Sequence, residues 1–416
     1  KKNLLNWNTA EAVDASILNT KKGYFLSMWS SLLPAAVILP LLFWAELDTA
    51  GNLIYGILAI LWILAFYIAY LISRPKEQKG FSLSADDREF LLDACRHTWQ
   101  FFKQLSNREN NWLCPDNYQI TSGVKITDKT SPTNIGLQFL AILSARDLGF
   151  ESLSSTINRI ERLLDTVMQL PKWKGHLYNW YQIKTLDVLK PDYISTVDSG
   201  NFLGHMIALK NGLLQQLGTP VITGNMLREL KKTAVLCNPE FKIKDSYASF
   251  NELFKDIGCI WDDIAGRKPS PVENPAWFAQ LAENLETLID EISGYNLKGY
   301  SVASCPSLME LTLQDNKKAK AAAKKINELC KKIDGIISGM DFGFLFNRKR
   351  LLFHIGYHVS SNTLDSGCYD LAASESVLTS FLAIARGDVP LKHWFRLGRP
   401  LTLIKGIPCF VSWSGT

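Results

Sequence analysis

Two uncharged apolar runs near the start of the chain are the feature that most constrains its fold. They cover residues 26–45 and 53–73, and neither contains an Asp, Glu, Lys or Arg. Each has about the 20 residues that a helix needs to cross a bilayer. The first run contains Pro34 and Pro40, which membrane helices tolerate because neighbouring groups satisfy the freed carbonyls. The two runs therefore predict a transmembrane hairpin.

The charges that flank the two runs predict how the hairpin is oriented. The connecting loop carries only the acids Glu46 and Asp48. The basic residues that flank the outer ends of the two runs are Lys21, Lys22, Arg74, Lys76 and Lys79. Because basic residues remain on the cytoplasmic side, both ends of the hairpin are expected in the cytoplasm. A cleaved signal peptide is excluded, since the first run is too long and a second span follows it.

Residues 81–416 are predicted to form a helical domain after residues 1–80, which hold the hairpin and a short linker. Apolar residues recur there with the period of amphipathic helices. The segments with this period are 134–148, 157–170, 198–217, 222–236, 271–292, 308–337 and 369–386, after a first helix that starts at Ser84. Strand-like alternation is confined to short pieces, and residues 342–346 with 351–354 predict a hairpin. The pattern indicates a mainly α fold, either a barrel or a solenoid.

The composition excludes several classes of function. The 416 residues have a net charge of +5, and the basic side chains are not gathered as nucleic-acid binding needs. None of the eight cysteines forms a C-x-x-C pair, and the histidines are not at metal-ligand spacing, so we expect reduced thiols and no metal. No phosphate loop or G-x-S-x-G elbow occurs, and no cofactor is expected. The basic stretch 316–325 is interpreted as a solvated helix face, with contact to anionic lipid as the alternative.

One loop concentrates residues that suit a sugar. Residues 173–181 read Trp-Lys-Gly-His-Leu-Tyr-Asn-Trp-Tyr. A loop has little reason to gather such residues for packing alone. Flat aromatic faces beside hydrogen-bonding groups match the apolar face and the polar rim of a pyranose. The stretches 129–136 and 363–375 are similarly polar, and His393–Arg396 follow them. Together they predict a glycan-binding cleft.

Carboxylates stand in these connections or at helix starts: Asp198, Asp365, Asp370 and Glu375. Breaking a glycosidic bond needs an acid on the leaving oxygen and a second carboxylate as base or nucleophile. Asp198 precedes an apolar helical run, so a helix-capping role competes with a site role. Asp365 and Asp370 are interpreted as turn and cap residues, with Asp370 capping the helix that carries Glu375. Glu375 is flanked by apolar residues, so we expect partial burial and a candidate proton donor.

Five motifs stand in order along the helical domain. They are Thr130-Ser-Pro-Thr-Asn-Ile-Gly-Leu137, Gly175-His-Leu-Tyr-Asn-Trp-Tyr181, Ser195-Thr-Val-Asp-Ser-Gly-Asn201, Tyr369-Asp-Leu-Ala-Ala-Ser-Glu375 and Gly387-Asp-Val-Pro-Leu-Lys-His-Trp-Phe-Arg-Leu-Gly-Arg399. Together they resemble the central part of bacterial cyclic β-1,2-glucan synthases, and the resemblance covers about residues 84–416. The preceding hairpin resembles the last membrane spans before that central domain.

The resemblance implies a large inner-membrane protein with three activities. A glycosyltransferase builds linear β-1,2-glucan from UDP-glucose. The central domain closes that chain into a ring by transglycosylation with retention, and a phosphorylase-like domain trims chain length. The central domain is expected to be an (α/α)6 barrel related to β-1,2-glucanases. This chain, which begins without Met, would be the hairpin plus a cyclisation domain that is incomplete at its C-terminus.

The same resemblance sets the expected partners and location. The partners are β-1,2-glucan, the lipid bilayer, and the transferase and phosphorylase-like domains of the longer protein. The location is a bacterial inner membrane, with several spans and a cytoplasmic globular domain. Two alternatives remain open: an inverting endo-β-1,2-glucanase that uses water as acceptor, and a non-catalytic, membrane-anchored glycan-binding module.

The predicted catalytic acids are Glu375 first and Asp198 second. Which of them is nucleophile and which acid/base stays open, as does a further catalytic carboxylate beyond Thr416. The predicted substrate-binding residues are Trp173, His176, Tyr178, Asn179, Trp180, Tyr181, Ser199, Asn201, Asp370, His393, Trp394, Arg396 and Arg399.

Overall fold

The computed structural model describes residues 21–44, 48–73, 83–120, 123 and 125–412, with only the backbone of residues 41–43. The chain divides into two compact units, Lys1–Asp86 and Asp87–Thr416. The predicted linker and the flanking charges Glu46, Arg74, Lys76 and Lys79 lie outside the described residues.

Three helices form the described part of the first unit. They are α1 (Lys21–Met28), α2 (Leu32–Trp44) and α3 (Thr49–Ile72), with a 3-10 turn at Trp29–Ser31. Two stretches, Lys21–Pro40 and Thr49–Ile72, are long and apolar enough to cross a membrane by length and composition. The first predicted span is therefore not one continuous α-helix. Pro34 has no N–H to donate to the carbonyl of residue 30, and a tighter turn precedes it.

Aromatic side chains join the first and third helices of this unit. The ring of Tyr24 meets that of Tyr70 edge to face at 5.8 Å between centroids, and Phe25 meets Phe66 at 5.2 Å. Asp48 begins α3, because its Oδ1 accepts a hydrogen bond from the backbone N–H of Gly51 at 2.8 Å. The hairpin predicted from the sequence is thus held by ring contacts and by one helix cap.

From Ala85 onward the structure is mainly helical, as predicted. The helices are α4 (Ala85–Leu105), α5 (Pro132–Leu148), α6 (Leu153–Gln169), α7 (Thr196–Gln216), α8 (Gly224–Cys237), α9 (Phe250–Ile264), α10 (Pro275–Gly294), α11 (Leu308–Leu313), α12 (Lys317–Gly339), α13 (Val377–Ala385) and α14 (Lys392–Arg396). Neighbouring helices pack in pairs, α5 on α6, α8 on α10 and α11 on α12, in a barrel-like domain. The prediction of two apolar helices before a barrel-like helical domain is confirmed.

Two helix predictions need correction, and one helix was missed. The segment 308–337 forms two helices, because Asp315 has a positive φ of 68° and Asn316 caps a new helix through the N–H of Ala319. Helix α9 was not predicted, although Ser249 caps it through the N–H of Glu252. The segment 369–386 is helical only from Val377, because the preceding residues pair as a strand.

Short strands connect the helices. They are β1 (Tyr118–Gln119), β2 (Lys125–Ile126), β3 (Lys129–Thr130), β4 (Lys172–Trp173), β5 (His176–Leu177), β6 (Tyr181–Gln182), β7 (Tyr193–Ser195), β8 (Phe346–Asn347), β9 (Leu352–His354), β10 (Gly356–His358), β11 (Thr363–Leu364), β12 (Cys368–Tyr369), β13 (Leu401–Ile404) and β14 (Ile407–Phe410). The described three-stranded sheets have the orders β11–β10–β7 and β12–β9–β8, and every pairing is antiparallel. The predicted hairpin at 342–354 is confirmed as β8 with β9, whereas Gly343–Leu345 form a 3-10 turn.

Helix α7 lies at the centre of the packing. It contacts α5, α12 and α13, and its buried face includes Phe202, Leu203 and Met206, each at most 1% exposed. Burying a side chain of this size stabilises the fold by about 1.5–3 kcal/mol. Helix α7 is thereby held in a fixed position relative to α5, α12 and α13.

The basic stretch predicted as a solvated face lies on α12, and several of its lysines have partners. Lys325 pairs with Glu161 of α6 at 2.5 Å, and Lys320 pairs with Asp315. Lys318 donates to the carbonyl oxygen of Asp290 at 3.2 Å. These contacts make the stretch an outer face that is tied to its neighbours.

Gly200 allows the closest approach between α7 and α13. A Cβ at this position would lie 1.8 Å from Oγ1 of Thr379 and 2.7 Å from its Cα. We therefore expect Gly200→Ala to lower the free energy of unfolding by about 1–3 kcal/mol, because overpacking forces the two helices apart. Urea unfolding followed by circular dichroism measures this change.

Gly335 supplies the matched control. It is an exposed residue inside α12, and a Cβ there would meet no atom within 4 Å. Gly335→Ala is expected to raise the free energy of unfolding by about 0.5–1 kcal/mol, because Ala restricts the unfolded chain. Equal effects of the two substitutions would contradict the close-packing explanation.

Candidate active site

Asp198 lies in the first turn of α7. The helix is capped by Ser195, whose Oγ accepts a hydrogen bond from the backbone N–H of Asp198 at 3.1 Å. Asp198 is therefore not the cap, which was the competing interpretation of this acid. Its carboxylate is free to bond outward, at a helix end where the macrodipole favours negative charge.

Both carboxylate oxygens of Asp198 accept hydrogen bonds. The hydroxyl of Thr133 donates to Oδ1 at 2.6 Å. The hydrogen-bond network assigns the amide of Asn179, whose nitrogen donates to Oδ2 at 2.9 Å while its oxygen accepts from Trp180 Nε1 at 3.0 Å. Asn201 in turn donates to Oγ1 of Thr133 at 3.3 Å. The side chain of Asp198 is thus fixed in one orientation.

Glu375 lies in the bend that precedes α13. It is exposed, and its Oε1 accepts a hydrogen bond from the hydroxyl of Tyr369 at 3.3 Å. The prediction that Glu375 is partly buried is wrong, because α13 begins only at Val377 and the bend carries Glu375 to the surface. Burial therefore does not mark this residue as a proton donor, whereas its contact with Tyr369 connects it to the neighbouring acids.

Tyr193 and Tyr369 lie near three carboxylates, those of Asp198, Asp365 and Glu375. The hydroxyl of Tyr193 donates to Oδ2 of Asp365 at 2.5 Å. Burial raises the pKa of Tyr369, and the charges of Glu375, Asp198 and Asp365 raise it further. Burial, Asp365 and Asp198 likewise raise the pKa of Tyr193. Each tyrosine thus feels the field of both Asp198 and Asp365, so these acids from distant parts of the sequence lie in one neighbourhood.

This arrangement has the groups that glycosidic chemistry needs. Carboxylates can supply a proton donor and a nucleophile or base, and phenolic hydroxyls can orient them. Within the ranges that the structure describes, no group of three or more His, Cys, Asp or Glu side chains is placed to hold a metal ion.

Two residues of the predicted sugar-binding loop are core residues instead. His176 is fully buried, with Nε2 at 2.7 Å from the carbonyl oxygen of Asp341 and its ring against Phe342. Tyr181 is also fully buried, and its hydroxyl donates to the carbonyl oxygen of Pro171 at 2.6 Å. Both lie in short strands of the loop and point into the protein, where no sugar ring can reach them.

The other aromatic residues of that loop divide between packing and the site. Trp173 is half-buried and stacks on Tyr357 with 6.1 Å between ring centroids. Tyr178 is half-buried. Trp180 lies beneath the ammonium group of Lys129, 3.7 Å from the ring centroid, and bonds to Asn179. Asn179 and Trp180 are the members of this loop whose described hydrogen bonds lead to Asp198.

Four predicted site residues lie in α14 or just after it, namely His393, Trp394, Arg396 and Arg399. His393 is fully buried, with Nδ1 at 2.8 Å from the carbonyl oxygen of Leu351, so it is a core residue and not a subsite. Arg399 donates to the carbonyl oxygens of Trp394 and Leu397, and its guanidinium lies 5.3 Å from the ring centroid of the half-buried Trp394. These contacts end α14 and do not involve the acids. Arg396 is exposed on the same helix.

The last two predicted residues flank the acids. Ser199 is 2% exposed, and its hydroxyl has no hydrogen-bond partner among the described residues. Asp370 is half-buried, and its backbone oxygen accepts from the N–H of Gly398 at 2.7 Å. The prediction that Asp370 caps the helix carrying Glu375 is wrong, because α13 begins after Glu375 and has no side-chain cap.

The sequence comparison is decisive for the chain's relationship. The chain is 32% identical, over 439 aligned residues that span all of it, to the cyclic β-(1,2)-glucan synthase NdvB of Rhizobium meliloti (strain 1021). This chain is a homologue of part of a cyclic glucan synthase. It corresponds to 15% of the length of NdvB. No family model matches the sequence.

A comparison with solved structures finds a looser likeness. An endo-β-1,2-glucanase of Chitinophaga pinensis, solved with sophorotriose and glucose, superposes with a TM-score of 0.43 and 11% identity. The superposition covers 80% of this chain and 57% of the glucanase. It is too loose to carry an argument about function or mechanism.

Four residues at the site of this NdvB homologue were not among the predicted site residues. They are Thr133, Tyr193, Asp365 and Tyr369. Thr133 and Tyr369 stand inside motifs that carry the resemblance, and Tyr193 lies two residues before one. Asp365 was interpreted as a turn residue, and only its contact with the distant Tyr193 distinguishes it.

Burial of histidines in the homologue predicts an acid-sensitive fold. Burial lowers the pKa of His176 from 6.5 to about 4, and it also lowers the pKa values of His205 and His393. The folded state therefore holds neutral rings that the unfolded state protonates below pH 6.5. The stability from neutral His176 is fully present above pH 6.5 and is lost as the pH falls toward 4. We expect a loss of about 2–3 kcal/mol from this residue.

Urea unfolding at pH 7.5 and pH 4.5 tests this expectation. His176→Gln keeps a neutral polar side chain at both pH values, so the variant should lose about 2–3 kcal/mol less than the wild type on acidification. An identical pH dependence in both proteins would contradict the assignment of His176 as a buried neutral residue.

Proposed function

We propose that residues 81–416 form a glycan-processing domain that transfers glycosyl groups within β-1,2-glucan, and that residues 1–80 anchor it to a membrane. The observation that carries this proposal is the convergence of Asp198, Asp365 and Glu375 around the half-buried Tyr193 and the buried Tyr369, which donate hydrogen bonds to Asp365 and Glu375. The 32% identity to a cyclic β-(1,2)-glucan synthase supports β-1,2-glucan as the substrate class.

The proposed reaction is retaining and closes a ring. One carboxylate attacks the anomeric carbon while an acid donates a proton to the leaving glycosidic oxygen, which departs with the released segment. The 2-hydroxyl at the other end of the bound chain then attacks the anomeric carbon of the glycosyl–enzyme, the bond from that carbon to the enzyme carboxylate breaks, and the hydroxyl proton passes to the carboxylate that acted as acid. The second step frees the enzyme carboxylate and makes a new β-1,2 bond.

Asp198 and Glu375 differ in their hydrogen bonds and in their exposure, which indicates different catalytic roles. Both oxygens of Asp198 accept hydrogen bonds, which suits a nucleophile, a base or an acceptor for a sugar hydroxyl. Glu375 is exposed and has one described hydrogen bond, from Tyr369, so it is accessible to the leaving oxygen of a bound glycan. Asn179, Trp180, Ser199, Asn201 and Asp370 are the predicted binding residues that remain next to these acids.

The principal alternative is an inverting endo-β-1,2-glucanase. The distance between the two catalytic carboxyl groups distinguishes the two mechanisms, since retention needs about 5–5.5 Å and inversion needs about 6.5–9.5 Å. A non-catalytic glycan-binding module is less favoured. Such a module needs exposed aromatic faces, yet His176 and Tyr181 are core residues while the acids converge.

Incubation of the protein with linear β-1,2-glucan tests the proposal. Ring closure yields products lighter by one water than linear chains of equal length, and mass spectrometry detects them. Hydrolysis yields shorter linear chains, and proton NMR then reports the anomer that forms first. Binding without turnover would favour the glycan-binding module and overturn the proposed activity.

We also propose that the hairpin spans a bacterial inner membrane with the domain in the cytoplasm, beside transferase and phosphorylase-like domains of a longer protein. The apolar stretches Lys21–Pro40 and Thr49–Ile72 support spanning, and the flanking basic residues support the orientation. Reporter fusions after residue 50 and after residue 80 test it. A cytoplasmic signal at residue 50 would contradict the hairpin.

A further inference from the structure

Asp365 uses all of its hydrogen-bonding groups. Its backbone N–H donates to the carbonyl oxygen of Gly356 at 3.1 Å, and its own carbonyl oxygen is 2.6 Å from Nδ1 of His354. Its Oδ2 accepts from the hydroxyl of Tyr193 at 2.5 Å, and its Oδ1 lies 3.2 Å from Nε2 of His358. One residue between β11 and β12 thus joins three other strands, β7, β9 and β10.

One of these connections leads to Asp198. Tyr193 begins β7, which runs directly into the first turn of α7 where Asp198 lies. The ring of Tyr193 lies across Gly356 of β10, because a Cβ at Gly356 would come within 2.2 Å of its Cζ and Oη. The paired strands and the bond to Asp365 therefore leave the Tyr193 side chain one position.

The other connection leads to Glu375. The chain continues from Asp365 into β12, which pairs with β9 and ends at Tyr369. The hydroxyl of Tyr369 donates to Glu375 at 3.3 Å. Asp365 therefore stands between the segment that carries one candidate acid and the segment that carries the other.

We propose that Asp365 is a positioning residue, which sets the separation of the Asp198 and Glu375 carboxyl groups through its bond to Tyr193. The inference rests on the proposed function. The carboxyl separation decides whether a carboxylate or a water molecule attacks the anomeric carbon, and the two cases differ by only about 1–4 Å. A displacement of about 1 Å can lower a rate about 10²-fold. A hydrogen bond to a charged group, held within paired strands, suits this task.

The chain offers a matched control for the Tyr193–Asp365 pair. The hydroxyl of Tyr247 donates to Asp256 at 2.5 Å, the same bond between the same residue types, at the start of α9. Burial and Asp256 raise the pKa of Tyr247, as burial and Asp365 raise that of Tyr193. Loss of either hydroxyl removes an equivalent bond, but only one of them lies beside the candidate acids.

The test compares Tyr193→Phe, Asp365→Ala, Asp365→Asn and Tyr247→Phe in the full chain acting on linear β-1,2-glucan. We expect Tyr193→Phe and Asp365→Ala to lower kcat about 10- to 100-fold and to leave KM within about twofold, with a larger linear share of product. Asp365→Asn keeps an oxygen that accepts from Tyr193, so it should recover most of the loss. Tyr247→Phe should lower the unfolding temperature about as much as Tyr193→Phe and leave kcat unchanged.

A crystal structure of Asp365→Ala provides a readout that does not need turnover. We expect the distance between the Asp198 and Glu375 carboxyl groups to change by about 1 Å or more relative to the wild type. An unchanged distance overturns the inference, whatever the activity. Wild-type kcat in Tyr193→Phe, or an equal loss in Tyr247→Phe, also overturns it. A wild type inactive on the glucan contradicts the proposed function instead, and the distance measurement still decides the inference.

Discussion

Glu375→Gln is expected to lower the rate of glycosyl transfer by about 10²–10⁴-fold. The amide can neither donate a proton to the leaving oxygen nor attack the anomeric carbon. The amide oxygen still accepts from Tyr369, so the bend before α13 should keep its shape and the unfolding temperature should change little. The rate of product formation from linear β-1,2-glucan, measured at saturating substrate, checks the result.

Glu328→Gln is the control for this change. Glu328 is an exposed glutamate on α12, so its substitution removes the same charge away from the site and should leave the rate unchanged. A substrate whose leaving group needs no protonation separates the two duties of Glu375. Activity that Glu375→Gln recovers on that substrate identifies a proton donor, and activity that stays lost identifies a nucleophile.

Asp198→Asn is expected to lower the same rate by at least about 10²-fold. The side chain loses its charge, and its new NH2 group must face one of two donors, Thr133 or Asn179. The substitution should therefore remove the catalytic charge and also change the orientation of the side chain at residue 198. Steady-state kinetics of the variant check this expectation.

Thr133→Val provides a graded comparison, because it removes one of the two bonds and leaves the carboxylate charge. It should lower the rate by less than Asp198→Asn, about tenfold. If Glu375→Gln and Asp198→Asn both retained near wild-type rates, the site assignment would be abandoned. If Asp198→Asn raised KM and left kcat intact, Asp198 would be a sugar-binding residue.

The sequence predicts local features of this fold better than it predicts non-local ones. The helix predicted to begin at residue 198 begins at Thr196, because the apolar helical run and the polar residues before it mark a helix start within a few residues, although the cap is Ser195 and not Asp198. The helix predicted from residue 369 fails because Tyr369 pairs with Phe353 in the β12–β9 ladder. That pairing depends on β9 at residues 352–354, which lies outside the few residues over which a helical period is read, so local periodicity cannot report it.

In the candidate site, too, local features are predictable from the sequence and non-local contacts are not. The motif that contains Asp198 is recognisable, yet the partners that hold this acid come from residues 133 and 179, and only folding brings them together. Sequence also cannot tell which aromatic residues of the 173–181 loop face the site. The sequence predicts both His176 and Trp180 as sugar-binding residues. In the structure His176 is buried in the core, whereas Trp180 donates to Asn179, which in turn donates to Asp198.

The bond between Tyr193 and Asp365 has a consequence for biosynthesis. It joins residues 172 positions apart, and the hydroxyl of Thr379 reaches the carbonyl oxygen of Thr196 across 183 positions. A ribosome adds about 5–20 residues per second, so about 9–37 seconds separate the emergence of these partners. Contacts of such long range also form late in folding. The nascent chain thus exposes Asp198 well before Glu375 can join it, so the proposed pair of acids cannot form until residue 375 has been synthesised.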